Sequence, residues 1–326
     1  KNNMITGNKA YFNILRSGIN TTIQDKGRND YFHLGITVSG AVDQRNFKLS
    51  NLILNNKINL PVLEFAIQGP LLKFKGESVG ICVTGDVVFD IIRKDQTVEQ
   101  GLCYQVYIIN DDDQIDLKST KNSVYGYLAI KDGLNFEKFW NSYSINTKAK
   151  LGPNNGEKFS LNQKIFINSN KVHNLKIRKL KYENTISNTI RVIKGTNFDY
   201  FTQKSQDDFF NKKFKVTKLV DRMGIRLSGQ HLENKISTNI KSEGLVKGVV
   251  QVPADGNPII MLADHGTIGG YPKIATVISV DLDNLAQVPP NTEISFKEVY
   301  LEEAEQLYKK QTKELNKYAS FLNEFN

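Results

Sequence analysis

The sequence predicts a mainly β protein with a few short helices, arranged as two β-rich units. Three observations carry this. Between 61 and 109, short runs rich in Val, Ile, Leu and Phe follow one another at close spacing with Gly and Asp between them, the mark of a closed or sandwiched antiparallel sheet. A second β-rich set resumes at 189, most clearly in the runs 249–252 and 259–262. Pro253, Asp255, Gly256, Asn257 and Pro258 separate these two runs and supply hairpin turn geometry. Helical periodicity is confined to 44–56, a short stretch within 198–210, and the tail 301–325, which is expected to dock on the second unit.

The chain has 326 residues, enough for two domains with real cores. The segment 168–183 is polar, basic and free of glycine, and it separates a unit at 1–170 from one at 171–326. Within it, 171–181 alternates apolar and basic residues as a half-solvated strand does. The net charge of +9 raises nucleic-acid binding, but the basic residues are not gathered into one patch, so no nucleic-acid partner is expected. No apolar run approaches the roughly 20 residues that span a bilayer, and the first residues lack the apolar core of a signal peptide. No membrane partner and a cytoplasmic location follow as expectations. Cys82 and Cys103 lie in apolar β-patterned runs and read as buried, reduced thiols. Asp111, Asp112 and Asp113 lack the glycine and closing glutamate of a calcium loop and read as a hairpin turn, so no metal site is expected.

In chain order, a strand at 11–15 leads to Gln24, Asp25, Gly27 and Arg28, where Arg28 and Asp25 suit a plain surface ion pair worth at most about 1 kcal/mol. Ser39-Gly40-Ala41 then precedes Asp43, at the entrance of an amphipathic helix whose Leu49, Leu52 and Ile53 fall on one face. Asp43 fits two roles, capping that helix and contacting a ligand. Glu64 sits in a strand, facing solvent or reaching a pocket. A tight turn is expected at Thr84-Gly85-Asp86.

The chemistry concentrates after the hairpin, in 263–273. Asp264, Thr267, Gly269, Gly270, Tyr271 and Lys273 occupy one glycine-rich loop, followed by an apolar run at 274–280. Paired glycines let backbone N–H groups approach a ligand closely, Lys273 brings a point charge and Tyr271 a hydrogen-bond donor. Such a set suits an anionic or carbonyl-bearing ligand, although the same Gly-Gly-Tyr-Pro string also serves as ordinary turn punctuation.

Over Val250-Gln251-Val252-Pro253, Asp255-Gly256, Leu262-Ala263-Asp264, Thr267, 269–278 and Leu285-Ala286-Gln287, the chain resembles the biotin-dependent carboxyltransferase family. That family is also called allophanate hydrolase subunit 2 or KipA-like and includes the C-subunit of bacterial 5-oxoprolinase. Gln24, Asp25, Gly27 and Arg28, Ser39-Gly40-Ala41, Asp43, Arg222-Met223-Gly224 and Ser242-Glu243-Gly244 fit it too. His265, Gly266, Ile268 and Tyr143 depart from its pattern. The resemblance implies two cyclophilin-like β-barrel domains and ATP-dependent opening of 5-oxoproline to glutamate, as one subunit of a hydrolase inactive alone. The partners it implies are a KipI-like subunit (allophanate hydrolase subunit 1) and a third subunit. It further implies a relation to the carboxyltransferase domain of urea carboxylase. No biotin-attachment sequence is present, so biotin is not carried by this chain, and no Walker-type loop locates the ATP used by the complex. On this reading Lys273, Tyr271 and Asp264 are catalytic. Gly269, Gly270, Thr267, Asp25, Arg28, Ser39 and Asp43 bind substrate. The alternative within the family is a KipA-like regulator that antagonises a KipI-like kinase inhibitor through a partner surface alone.

Overall fold

Period-two burial decides how the first strands stack. Over 11–15 and in Leu71–Lys75, every second residue is buried and the intervening ones are only partly so. The computed structural model describes residues 9–168, 175–237 and 239–324. In the amino-terminal half, one sheet orders Lys164–Phe166, Tyr11–Arg16, Leu71–Lys75, Gln114–Thr120, Val87–Ile92 and Val98–Gln100. A second orders Thr22–Gln24, Val62–Ala66, Tyr125–Ile130, Ser78–Thr84 and Val106–Asn110. Phe12, Ile14, Phe65, Leu72, Phe74, Phe89 and Leu128 fill the space between them.

Tyr125–Ile130 is buried at every position. Helix α1, Gln44–Ile53, covers its other face, so no side of that strand reaches water. The expected cap is present: the Asp43 side chain accepts from Asn46 N at 2.9 Å, and Leu49 and Ile53 are buried on the inner face.

The carboxy-terminal half is a closed seven-stranded barrel. Its order is Thr189–Lys194, Lys273–Val277, Val249–Gln251, Ile259–Met261, Gly224–Ser228, Phe214–Val220 and Glu293–Glu298. The first and last strands close it as a parallel pair, and closure leaves no free edge. The predicted hairpin is present, with Val250 opposite Ile260 and Gln251 opposite Ile259. Helix α2 spans Gln203–Asn211. The apolar run after Lys273 divides into the strand Lys273–Val277 and helix α3, Ser279–Ala286, which periodicity did not announce. Helix α4, Leu301–Glu324, packs against α3 and also reaches α1 of the other half, so it does not rest on the second unit alone.

Two expectations change, and a third is not tested. The boundary at 170/171 lies outside the described residues, as do 171–174 of the alternating basic run. From 175 that run is not a strand. It meets the edge of the second amino-terminal sheet at one bridge, Lys179 to Gln105. The Asp111–Asp113 turn is not simply solvated: Asp113 is buried and accepts from Asn110 N, Lys94 N and Arg93. Cys82 is buried and Cys103 partly so, both free thiols, and Thr84-Gly85-Asp86 turns between two strands as expected. Among the described residues no helix is long and apolar enough to cross a membrane.

Candidate functional site at the seam between the halves

Two glycines bring the amino-terminal motifs together. A Cβ on Gly40 would stand 2.8 Å from Gly27 N, and one on Gly27 would stand 2.8 Å from Val38 O. Both have positive φ, 86° and 96°, so each position needs glycine for space and for conformation. Their contact sets the Gln24–Arg28 segment against the Ser39–Asp43 segment, with Ala41 N donating to Asp25 O at 2.9 Å.

Asp25 is not in a surface ion pair. It is buried, and its carboxylate accepts from Gly27 N, the Ser142 and Ser144 hydroxyls and Tyr143 N at 2.6 to 2.8 Å. Burial lowers the Arg28 pKa against the pull of Asp25 and Asp264. Arg28 Nη2 donates to the Ser144 carbonyl, while its buried Nε and Nη1 have no partner among the described residues. Ser39 Oγ accepts from Asn146 Nδ2 at 3.2 Å.

The second half enters through Arg222, 6% exposed. Its guanidinium makes a bidentate pair with Asp264 at 2.8 and 3.0 Å, an ion pair with Glu64, and donations to Gly40 O at 2.7 Å and Gln24 Oε1 at 3.2 Å. Burial opposes its charge, yet Asp264 and Glu64 hold the guanidinium's pKa above its ordinary value. Glu64 therefore faces neither solvent nor an open pocket. Its other oxygen accepts from Val42 N and the Tyr127 hydroxyl, both at 2.9 Å. Gln287, fully buried, donates to Asp43 Oδ2 at 2.9 Å and accepts from Val124 N and Tyr125 N.

Around the entrance of α1, Asp283 accepts from Gln44 N at 2.8 Å and Lys247 Nζ donates to Val42 O at 2.8 Å. Burial and then the Asp43 charge push the Asp283 carboxyl up to about 6. Burial lowers the Lys247 amine below its usual range. Beside them, a cavity of about 280 Å³ is lined by Phe32, Val38 and Ser39 from one half and Val246, Lys247, Ala263 and His265 from the other.

The glycine-rich loop lies farther round the barrel. Ile268–Gly269 pairs with Glu243–Gly244 as a two-stranded ribbon, and Tyr271 is half-exposed. Lys273 is 5% exposed, its ammonium ion-paired with Glu243 and its N–H donating to Asn197 Oδ1 at 3.0 Å. Asp25, Arg28, Ser39, Asp43 and Asp264 are thus gathered at the seam. The described partners of Lys273 come from its own half, and Thr267 is tied to the ribbon through Leu245 N at 2.9 Å. Arg222 is legible in the sequence as a motif match but not as the hub. Gln287 is likewise legible only as a motif match, and Lys247 carries no signal short of the fold.

The chain is similar to known proteins over most of its length. The family model for the carboxyltransferase domain, subdomain A and B, matches residues 34–298. The chain is 31% identical over 291 residues to the 5-oxoprolinase C-subunit of Escherichia coli, covering 89% of this chain and 92% of that one. It is 32% identical over 305 residues to the Haemophilus influenzae protein of that name, covering 94% and 96%. The crystal structure of Kluyveromyces lactis urea carboxylase superposes with TM-score 0.86 at 24% identity, over 97% of this chain and 30% of that one, and so shares its fold.

Proposed function

As the chain belongs to the carboxyltransferase domain family, subdomain A and B, we propose that it is the C-subunit of a 5-oxoprolinase. In this role it is one member of an ATP-using complex that opens the amide of 5-oxoproline to give glutamate, inactive without a KipI-like subunit and a third subunit, in the cytoplasm. The observation that carries this reading is the length of the match to two proteins of that name, about nine-tenths or more of each. The convergence of motif residues from both halves on Arg222 supports it.

Lactam opening needs a carbonyl activated toward attack, and each preorganised donor at the developing oxyanion contributes roughly 3–4 kcal/mol. Lys273, Tyr271 and the amides of Gly269 and Gly270 are the proposed donors. Asp264, held by Arg222, positions the start of their loop, and Thr267 fastens it to the ribbon. Asp25, Arg28, Ser39 and Asp43 shape the amino-terminal wall. The test is ATP-dependent glutamate release by the assembled complex of three proteins. Lys273→Met should assemble and lose on the order of 100-fold in rate. Undiminished rate removes Lys273 from the chemistry, and an inert wild-type complex overturns the function.

A further inference from the structure

Among the described residues Lys273 has one charged partner, Glu243 of the Ser242-Glu243-Gly244 motif. The two ends of this pair differ in burial: the Lys273 side chain is 6% exposed and that of Glu243 43%. The pair therefore runs from the barrel wall to the surface. The lysine backbone is fixed independently of it. Lys273 N donates to Asn197 Oδ1 at 3.0 Å, and a Cβ on Gly195 would lie 2.3 Å from the Lys273 carbonyl oxygen, so only the side chain is left to be placed.

The glutamate is carried by a ribbon held through its backbone. Glu243 and Gly244 pair with Gly269 and Ile268, while Leu245 N donates to Thr267 O and Ile240 N to Gly270 O, each at 2.9 Å. A Cβ on Gly269 would meet Gln251 Nε2 at 2.7 Å and Leu245 Cδ1 at 2.8 Å, so the ribbon sits hard against the barrel. A changed side chain at 243 thus alters the charge beside Lys273 without removing the bonds that hold the ribbon. Other charges on the surrounding elements are engaged elsewhere, Lys194 with Glu298 at 3.1 Å and Asp264 with Arg222. Asn197, and Gln251 next to Lys273 in register, are neutral. A buried ammonium without a counter-charge is unfavourable, so Glu243 is what lets one sit here. It accepts one N–H, and the other two have no acceptor among the described residues.

We propose that Glu243 is the positioning residue of the Lys273 chemistry: its carboxylate holds the ammonium in the barrel wall through one N–H and leaves the other two for the carbonyl that the loop activates. Glu243 itself acts only through Lys273. The role in catalysis rests on the function proposed above, whereas the hold on the ammonium is a property of this chain alone and is read without turnover.

The experiment compares wild type with Glu243→Gln, Glu243→Asp and Glu243→Ala. In the full chain, acetylation of Lys273 by acetic anhydride, followed by peptide mass spectrometry, should rise about tenfold or more in Glu243→Gln and Glu243→Ala. Formate should reverse the rise in Glu243→Ala and equal sodium chloride should not; position 243 is exposed and a Cβ on Gly244 meets nothing within 4 Å, so a small carboxylate can enter. In the assembled complex, Glu243→Gln should lower kcat about tenfold or more with KM near wild type, and Glu243→Asp should keep part of the rate. Formate should restore Glu243→Ala but not Glu243→Ala combined with Lys273→Met. Unchanged acetylation in Glu243→Gln, or a rate loss in Glu243→Ala that formate does not recover, overturns the proposal. An inert wild-type complex overturns the function instead, and acetylation then still decides whether Glu243 holds the ammonium.

Discussion

Arg222 and Glu64, 158 residues apart in the chain, form a buried ion pair across the seam between the two halves. Glu64 also holds Val42 N and the Tyr127 hydroxyl, and Arg222 also holds Asp264 and the Gly40 carbonyl. One charged cluster therefore fixes the entrance of α1, the Ser39–Asp43 segment and the loop that begins at Asp264.

Removing the cation strands two buried carboxylates, so Arg222→Ala should destabilise the chain by about 3–5 kcal/mol. Urea unfolding measures this. Arg222→Met combined with Glu64→Gln and Asp264→Asn should recover much of the loss, because the stranded charges are removed with the partner.

Glycine requirements should differ sharply by position. Gly40→Ala must place a Cβ 2.8 Å from Gly27 N at φ 86° and should cost at least about 2 kcal/mol. Gly244→Ala meets nothing within 4 Å and should stay within about 0.5 kcal/mol of wild type. Thermal unfolding of the two variants checks the contrast.

The Asp283 carboxyl, raised from 3.8 to about 6 by burial and by Asp43, sets a pH dependence. A raised carboxyl adds stability that is fully present below its unfolded pKa and lost as pH rises through the folded one. Wild type should therefore lose stability between pH 4 and pH 6 relative to Asp283→Asn, on the order of 2 kcal/mol, because the amide oxygen still accepts from Gln44 N without ionising. Denaturant melts of both proteins across that range test the sign.

Gln287 satisfies two backbone donors and one carboxylate at a fully buried position. Gln287→Ala should cost about 2–4 kcal/mol by leaving Val124 N, Tyr125 N and Asp43 short of partners. Hydrogen exchange at the Val124 and Tyr125 amides should accelerate in the variant by the same free energy.

Local patterns made much of the architecture legible. The hairpin turn residues placed Val249–Gln251 against Ile259–Met261, and Asp43 marked the start of α1. Helix α3 escaped because its apolar residues continue the run of the preceding strand without a change of period. Glu64 and Asp25 were misplaced toward solvent because their partners, Arg222 and the Ser142–Ser144 segment, lie more than a hundred residues away.

By itself the sequence determined the residue types, the turns, the strand and helix periods and the family motifs, all of which depend on neighbours within a few positions. Which charges are buried and paired, that Lys273 meets Glu243, and that His265 and Lys247 share one cavity were decided only by the tertiary structure. The physical reason is that the stability of a buried charge or hydrogen bond depends on what chain closure brings to within about 3 Å, and spacing along the chain carries no record of that distance.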